Sequence, residues 1–245
     1  MENRFKNRIE GRLSSLRSPV MQSLELIVSQ IEAACARANR NADEITPVGA
    51  SKTRLAGELA PFCNAGLRDF GENYIQEGIA KVRNFRNDGL NATWHFIGAL
   101  QSNKAREAVA HFDLIHSVDR LSLAKELDKE ARKIGKIQRV LLQVNIGDEK
   151  SKAGTSPEAL PALLEECAAL LNLKIEGLMS LPPYQDNPEN SRAYHRKLRE
   201  LRDQLRTVHC PLRTLSMGMS RDFEVAIEEG ATMVRIGNAL FGTRS

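Results

Sequence analysis

From about residue 20 to 40 the apolar residues Val20, Leu24, Ile27, Val28, Ile31, Ala34, Cys35 and Ala38 recur at steps of three and four. That spacing marks one face of an amphipathic helix. Beyond it the rhythm changes. Short β-prone runs at 46–51, 69–71, 93–98, 114–118, 140–145, 175–180, 214–217 and 233–236 alternate with helical patterns such as 122–134, 158–171 and 189–208. In the last of these, Tyr194, Leu198, Leu201 and Leu205 share a face. Parallel strands need a crossover connection, so strand–helix units in series specify parallel pairing. About eight such units with no break in composition predict an α/β fold, a (β/α)8 barrel of TIM type, with an additional N-terminal helix. The open doubly wound sheet is the alternative, weakened because no GxGxxG follows the first run.

A length of 245 residues suits one such barrel, and 42% hydrophobic with 27% charged residues is ordinary globular usage. We expect residues 1–19 to form a flexible arm and 20–245 a single domain. The arm is basic but lacks the apolar segment of a secretory signal, and Glu2 and Glu10 break the acid-poor pattern of a transit peptide. No run approaches the roughly 18 apolar residues of a membrane span. The four cysteines, Cys35, Cys63, Cys167 and Cys210, form no CxxC pair or zinc-like spacing, so no metal is expected and a reducing cytoplasm is the default. A net charge of +4 with 5% aromatics gives no footprint for nucleic acid.

In a barrel, ligands bind at the C-terminal ends of the strands, so the residues closing each apolar run are the informative ones. Lys52 follows PVGAS at the end of the first run. Lysine is rarely placed at depth without a partner, and partial burial favours the neutral amine that attacks an aldehyde. A snorkelling lysine at a strand end is the bland reading. Near the other end of the chain, LSMGMSRDFEVAIEEG reads as a strand, a Gly-containing turn and a helix starting near Ser220, with Asp222 and Glu224 in its first turn. Ser220 suits an N-cap there, and equally a phosphate contact. In MVRIGNALFG, Gly237 lets the backbone approach a ligand. Barrels often hold phosphate with the loops after strands seven and eight.

A phosphate at one side of the mouth and a reactive lysine on the neighbouring first strand outline a pyridoxal 5′-phosphate site, with the cofactor held as a Schiff base. Asn73 and His95 are candidates to line the ring, although a capping Asn and a buried His explain them as well. Arg235 could pair with the phosphate or the ring nitrogen. A cation beside that nitrogen opposes its protonation and weakens the cofactor as an electron sink.

The segments VGASKT (48–53), FGENYIQE (70–77), WHFIGALQSNK (94–104), VNIGDEKSKAG (144–154), GLMSLPP (177–183), LSMGMSRDFEVAI (215–227) and VRIGNALFG (234–242) occur in order over nearly the whole chain after residue 44. On these motifs the chain resembles the pyridoxal phosphate homeostasis proteins, single-domain relatives of the barrel in bacterial alanine racemase. The resemblance implies Lys52 as the cofactor-bearing lysine and Asn73 beside the ring. It implies Ser216, Ser220, Arg235 and Gly237 around the phosphate and pyridine. Members look like carriers or regulators in vitamin B6 and amino-acid homeostasis, with apo-enzymes as possible recipients and no established turnover.

Two other readings use the same lysine. An amino-acid racemase needs a base on each face of the substrate carbon. In the racemases the second base is a tyrosine from a C-terminal β-domain of the partner subunit, and the sequence closing on FGTRS predicts that this domain is absent. Of Tyr74, Tyr184 and Tyr194, only Tyr184, in the loop after strand six, is expected to reach the mouth. The other reading is an aldolase using Lys52 on a phosphorylated sugar, without a cofactor.

Overall fold

The computed structural model describes residues 18–147 and 153–242. Helix α1 (Pro19–Arg37) begins where the Ser18 hydroxyl accepts the Met21 N–H at 3.3 Å and proline fills the first turn. Its buried residues Leu24, Ile27, Val28, Ile31, Ala34 and Cys35 are those of the predicted face. The expected arm lies outside the described residues, except that Ser18 and Pro19 belong to this helix.

Eight strands follow: β1 (Thr46–Ala50), β2 (Asp69–Glu72), β3 (Thr93–Phe96), β4 (Leu114–Val118), β5 (Gln138–Val144), β6 (Leu173–Ser180), β7 (Thr214–Met219) and β8 (Met233–Ile236). Between and after them come α2 (Ala56–Asn64), α3 (Ile75–Asn87), α4 (Ala105–His111), α5 (Leu121–Lys133), α6 (Leu160–Ala168), α7 (Arg192–Leu205), α8 (Phe223–Glu228) and α9 (Asn238–Phe241). Each strand pairs in parallel with the next, and β8 returns to β1 through Thr46↔Met233 to Gly49↔Ile236. The barrel is closed. The open sheet is not the fold.

Side chains alternate across a strand, so every strand feeds two cores. The larger core joins the outward faces to the helices, as with Phe70, Phe85 and Trp94. A smaller cluster of Val48, Leu114, Leu141, Met179 and Met233 draws from five strands and fills the barrel interior. Polar residues occupy the interior beside it: His95, His116, Ser216 and Arg235 are all buried.

The differences from expectation fall at polar ends. Strands β5 and β6 start earlier than their apolar runs, at Gln138 and Leu173, because Arg139 and Glu176 meet across them in an ion pair at 2.8 Å. Strand β7 runs on to Met219 through Gly218, whose φ of +87° favours glycine. The helix expected near Ser220 starts only at Phe223, with Asp222 in the N-cap position. Among the described residues, no helix is long and apolar enough to cross a membrane.

Candidate functional site

A cavity of about 360 Å³ opens at the C-terminal ends of the strands. That volume is within the usual range for small-molecule sites. It is lined by Ala50 and Lys52 after β1, Asn73 after β2, Ile97 after β3, residues 181–185 after β6, residues 219–222 after β7, and Arg235, Gly237 and Asn238 from the end of β8. Five of the six residues singled out in the sequence therefore meet in one place: Lys52, Asn73, Ser220, Arg235 and Gly237. The sixth, Ser216, is buried and touches Arg235. His95 does not line the mouth. It lies fully inside the barrel, because its place on β3 points it inward one layer down, among other side chains.

Lys52 stands two residues beyond β1 and is exposed, so burial is not what distinguishes it. Its setting is. Ser51, just before it, has no solvent exposure, and the hydroxyl donates to the Glu72 carboxylate. Thr53, just after it, takes a φ of +64° and gives its N–H to Glu77. The buried Lys81 ammonium ties these together. It donates to the Ser51 carbonyl at 2.7 Å, to Glu72 Oε1 at 2.8 Å and to Glu77 Oε1 at 2.7 Å. An ammonium has three donors, so all are spent on this turn. Burial pushes the Glu72 carboxyl up, and the hydrogen bonds from Lys81 and Ser51 pull against it. Both flanks of Lys52 are thus fixed from below. Asn73 is held differently: a Cβ on Gly98 would lie 2.2 Å from the Asn73 carbonyl oxygen, so only glycine lets that backbone pack there.

Arg235 closes the floor of the cavity. Its Nη1 donates to Ser216 Oγ at 2.6 Å and its Nη2 to the Ser180 carbonyl at 2.8 Å. Burial pushes the guanidinium down to about 10, with Asp222 pulling the other way, so it is a cation at neutral pH. Beneath it the contacts continue: Ser216 Oγ to His116 Nδ1 at 3.0 Å, His116 Nε2 to His95 Nδ1 at 2.9 Å, and His95 Nε2 to Asp69 Oδ1 at 3.0 Å.

Ser220 caps no helix of its own. Its Oγ instead accepts the Gly237 N–H at 3.0 Å and the Ala239 N–H at 3.5 Å, joining the loops after β7 and β8. A Cβ on Gly237 would meet Ala50 at 3.5 Å, an ordinary contact, so the chain's own packing does not demand glycine there. Tyr184 lines the same cavity, with the Arg221 guanidinium 5.0 Å from its ring centroid and donating to its hydroxyl. Tyr74 precedes α3 and is exposed, and Tyr194 packs on the helical core.

Comparison with known proteins gives this geometry its family. The family described as alanine racemase, N-terminal domain, matches residues 23–245. The pyridoxal phosphate homeostasis protein of Aquifex aeolicus is 48% identical over 224 residues, covering 91% of this chain and 97% of the relative. The chain belongs to the pyridoxal phosphate homeostasis family. The Escherichia coli K12 member is 41% identical over 92% of this chain and 97% of its own length. The solved structure of PipY from Synechococcus elongatus, with PLP bound, is 37% identical with a TM-score of 0.75, covering 87% of this chain and all of that one. An alanine racemase of Clostridium difficile, at 16% identity and a TM-score of 0.68, shares the fold over 91% of this chain and 57% of its own.

Within this member of the family, sequence reasoning missed Lys81, Glu72 and Glu77 beneath the lysine turn, and His116 beneath Arg235. Glu77 and Lys81 are four apart on α3, a spacing that reads as a surface ion pair. The signal against that reading is weak: FGENY continues an apolar strand into Glu72, which is an odd place for a carboxylate unless a cation meets it.

Proposed function

We propose that this chain binds pyridoxal 5′-phosphate and carries it as a Schiff base on Lys52, serving intracellular vitamin B6 and amino-acid homeostasis without catalytic turnover. One observation carries the reading: a single cavity gathers an exposed amine, a buried guanidinium, and a hydroxyl with the Gly237 backbone N–H. That donor set fits an aldehyde, a ring nitrogen and a phosphate, and Asn73 beside Lys52 fits the ring edge. When bound, the cofactor supplies an electrophilic carbon for amines and an electron sink behind it. The protein's part is to present the Lys52 amine from a fixed turn, to hold the phosphate at Ser220 and Gly237, and to keep a cation at Arg235. Residues 20–245 would act as one binding domain. A cytoplasmic setting and recipient apo-enzymes belong to the same reading, by likeness to the homeostasis proteins.

The test is an absorbance spectrum of the purified protein before and after adding the cofactor, followed by borohydride reduction and peptide mapping. A visible band and a reduced adduct on Lys52 are expected. A colourless protein that takes up no cofactor would favour the aldolase reading. For the phosphate contact, Ser220→Ala should weaken cofactor retention about tenfold, the scale of one charge-assisted hydrogen bond. Unchanged affinity would reduce Ser220 to a link between loops.

Tyr184 favours a second reading, an amino-acid racemase, because it shares the cavity with Lys52. Two features oppose it. Its hydroxyl is engaged by Arg221, and the Arg235 cation disfavours the protonated pyridine that stabilises carbanions best. We expect no sustained conversion of L-alanine to D-alanine by the cofactor-loaded protein; robust turnover would put the racemase first.

A further inference from the structure

The buried contacts under Arg235 have a direction, and it follows from their two ends. A guanidinium only donates, so Ser216 Oγ accepts from Arg235. His116 is fully enclosed, and burial, then His95, Arg235 and Arg139, hold its imidazole well below the usual histidine range. It is neutral and carries one N–H. Two arrangements satisfy the Arg235 end. In one, Ser216 donates to His116 Nδ1; in the other, His116 Nδ1–H donates to Ser216. The far end chooses between them. Asp69 is partly exposed, and as a carboxylate it can only accept, so His95 presents Nε2–H to it. With His95 neutral, its Nδ1 accepts from His116 Nε2–H, and His116 Nδ1 accepts the Ser216 hydroxyl proton; an imidazolium at His95 would reverse both bonds.

We propose that Asp69, His95 and His116 are positioning residues for the cofactor cavity, forming a one-way hydrogen-bond chain that keeps the enclosed Ser216 hydroxyl as the acceptor that holds Arg235 at the cavity floor. Arg235, which lines the cavity, would then be the donor available to a ring nitrogen, and its charge would oppose protonation there. In the reversed chain Ser216 would accept twice, from Arg235 and His116, and its own enclosed proton would need another acceptor. The carboxylate at the other end of the barrel interior sets which state holds. Two groups outside the chain bear on it: Arg139 of β5 acts on His116 but is paired with Glu176 of β6, and Asp222, paired with His195, acts on Arg235. The inference rests on the carrier reading for its consequence, not for its geometry.

Two measurements separate these levels. In protein without added cofactor, long-range nitrogen–proton NMR of ring-labelled histidine should show His95 and His116 as neutral Nε2–H tautomers. Either one found as Nδ1–H, or as imidazolium at neutral pH, overturns the chain. Asp69→Asn removes the charge at a partly exposed position and lets an amide N–H face His95 Nε2. Its histidine spectrum should move toward the Nδ1–H tautomers. In cofactor-loaded protein the pH profile of the visible band should shift by about one pH unit, while Lys52 remains the modified residue. Asp69→Glu, which keeps the carboxylate, should restore both signals toward the parent values. A shifted tautomer with an unmoved pH profile overturns the positioning role. Failure of the parent protein to take up cofactor sinks the carrier reading and with it that role, and leaves the tautomer result to judge the chain.

Discussion

Replacing Lys52 with alanine is expected to abolish the visible band and the borohydride-reducible adduct, while leaving the thermal midpoint unchanged. The loss should be complete because Lys52 is the only lysine among the residues lining the cavity. Lys81 of α3, beneath the turn, has all three donors engaged and is buried. Stability should hold, since an exposed side chain in a turn held by its neighbours contributes little, within about 0.5 kcal/mol. The variant should still bind the cofactor weakly and reversibly through Ser220, Gly237 and Arg235. An adduct recovered on another lysine would refute the assignment to Lys52.

Replacing Lys81 should do the reverse, damaging the fold first and the lysine second. Lys81→Met leaves the Glu72 carboxylate buried with no cation, and frees Glu77 and the Ser51 carbonyl. Breaking a buried ion pair from one side costs about 3–5 kcal/mol, to be read from the midpoint and slope of urea unfolding. The pH dependence has a definite sign. Burial already raises the folded-state value of Glu72, and removing Lys81 raises it further. A carboxyl raised in the folded state costs stability as pH climbs above its unfolded value, about 4.3, and the cost is complete above the folded value. The deficit of the variant should therefore be smallest in acid and grow toward neutral pH. A deficit independent of pH would mean that Lys81 contributes through packing alone. Cofactor attachment should also fall, because the Thr53 turn loses its anchor.

How much of this was legible in the chain depends on whether a residue's role is local. Each apolar run announced a strand, because parallel barrel strands are buried on both faces and read as continuous hydrophobic segments. Strand ends were read short where the barrel's lower rim is polar, as at Arg139 and Glu176. The cavity residues stood out because each closes an apolar run with a polar or glycine residue, which is a local signature. Lys52 was found for a reason the structure does not support: it is exposed, and the depth inferred from PVGAS belongs to Ser51. The sequence suits Ser220 to a helix cap or a ligand contact, and the structure joins it instead to amides 17 and 19 residues downstream. His95 suits either the ring edge or a buried histidine by sequence, and it is the latter, because alternation along β3 turns it into the barrel interior. His116, sitting in LIHSV, gave no sign at all, because a buried histidine is recognised only by the partner that folding brings to it.

The bond from Ser220 to the neighbouring loop bears on how firmly anything can be held here. Before a phosphate arrives, the Gly237 and Ala239 amides already have an acceptor in the Ser220 hydroxyl. An incoming anion trades for that acceptor, so its net grip is smaller than a list of its contacts suggests. The same hydroxyl takes the amides back when the anion leaves, so departure exposes no orphaned donors. On the proposed reading, a loaded molecule would have an easy exit on the phosphate side and a covalent latch at Lys52 on the other. In the carrier reading proposed above, hand-over would hinge on the chemistry at the single Lys52 amine.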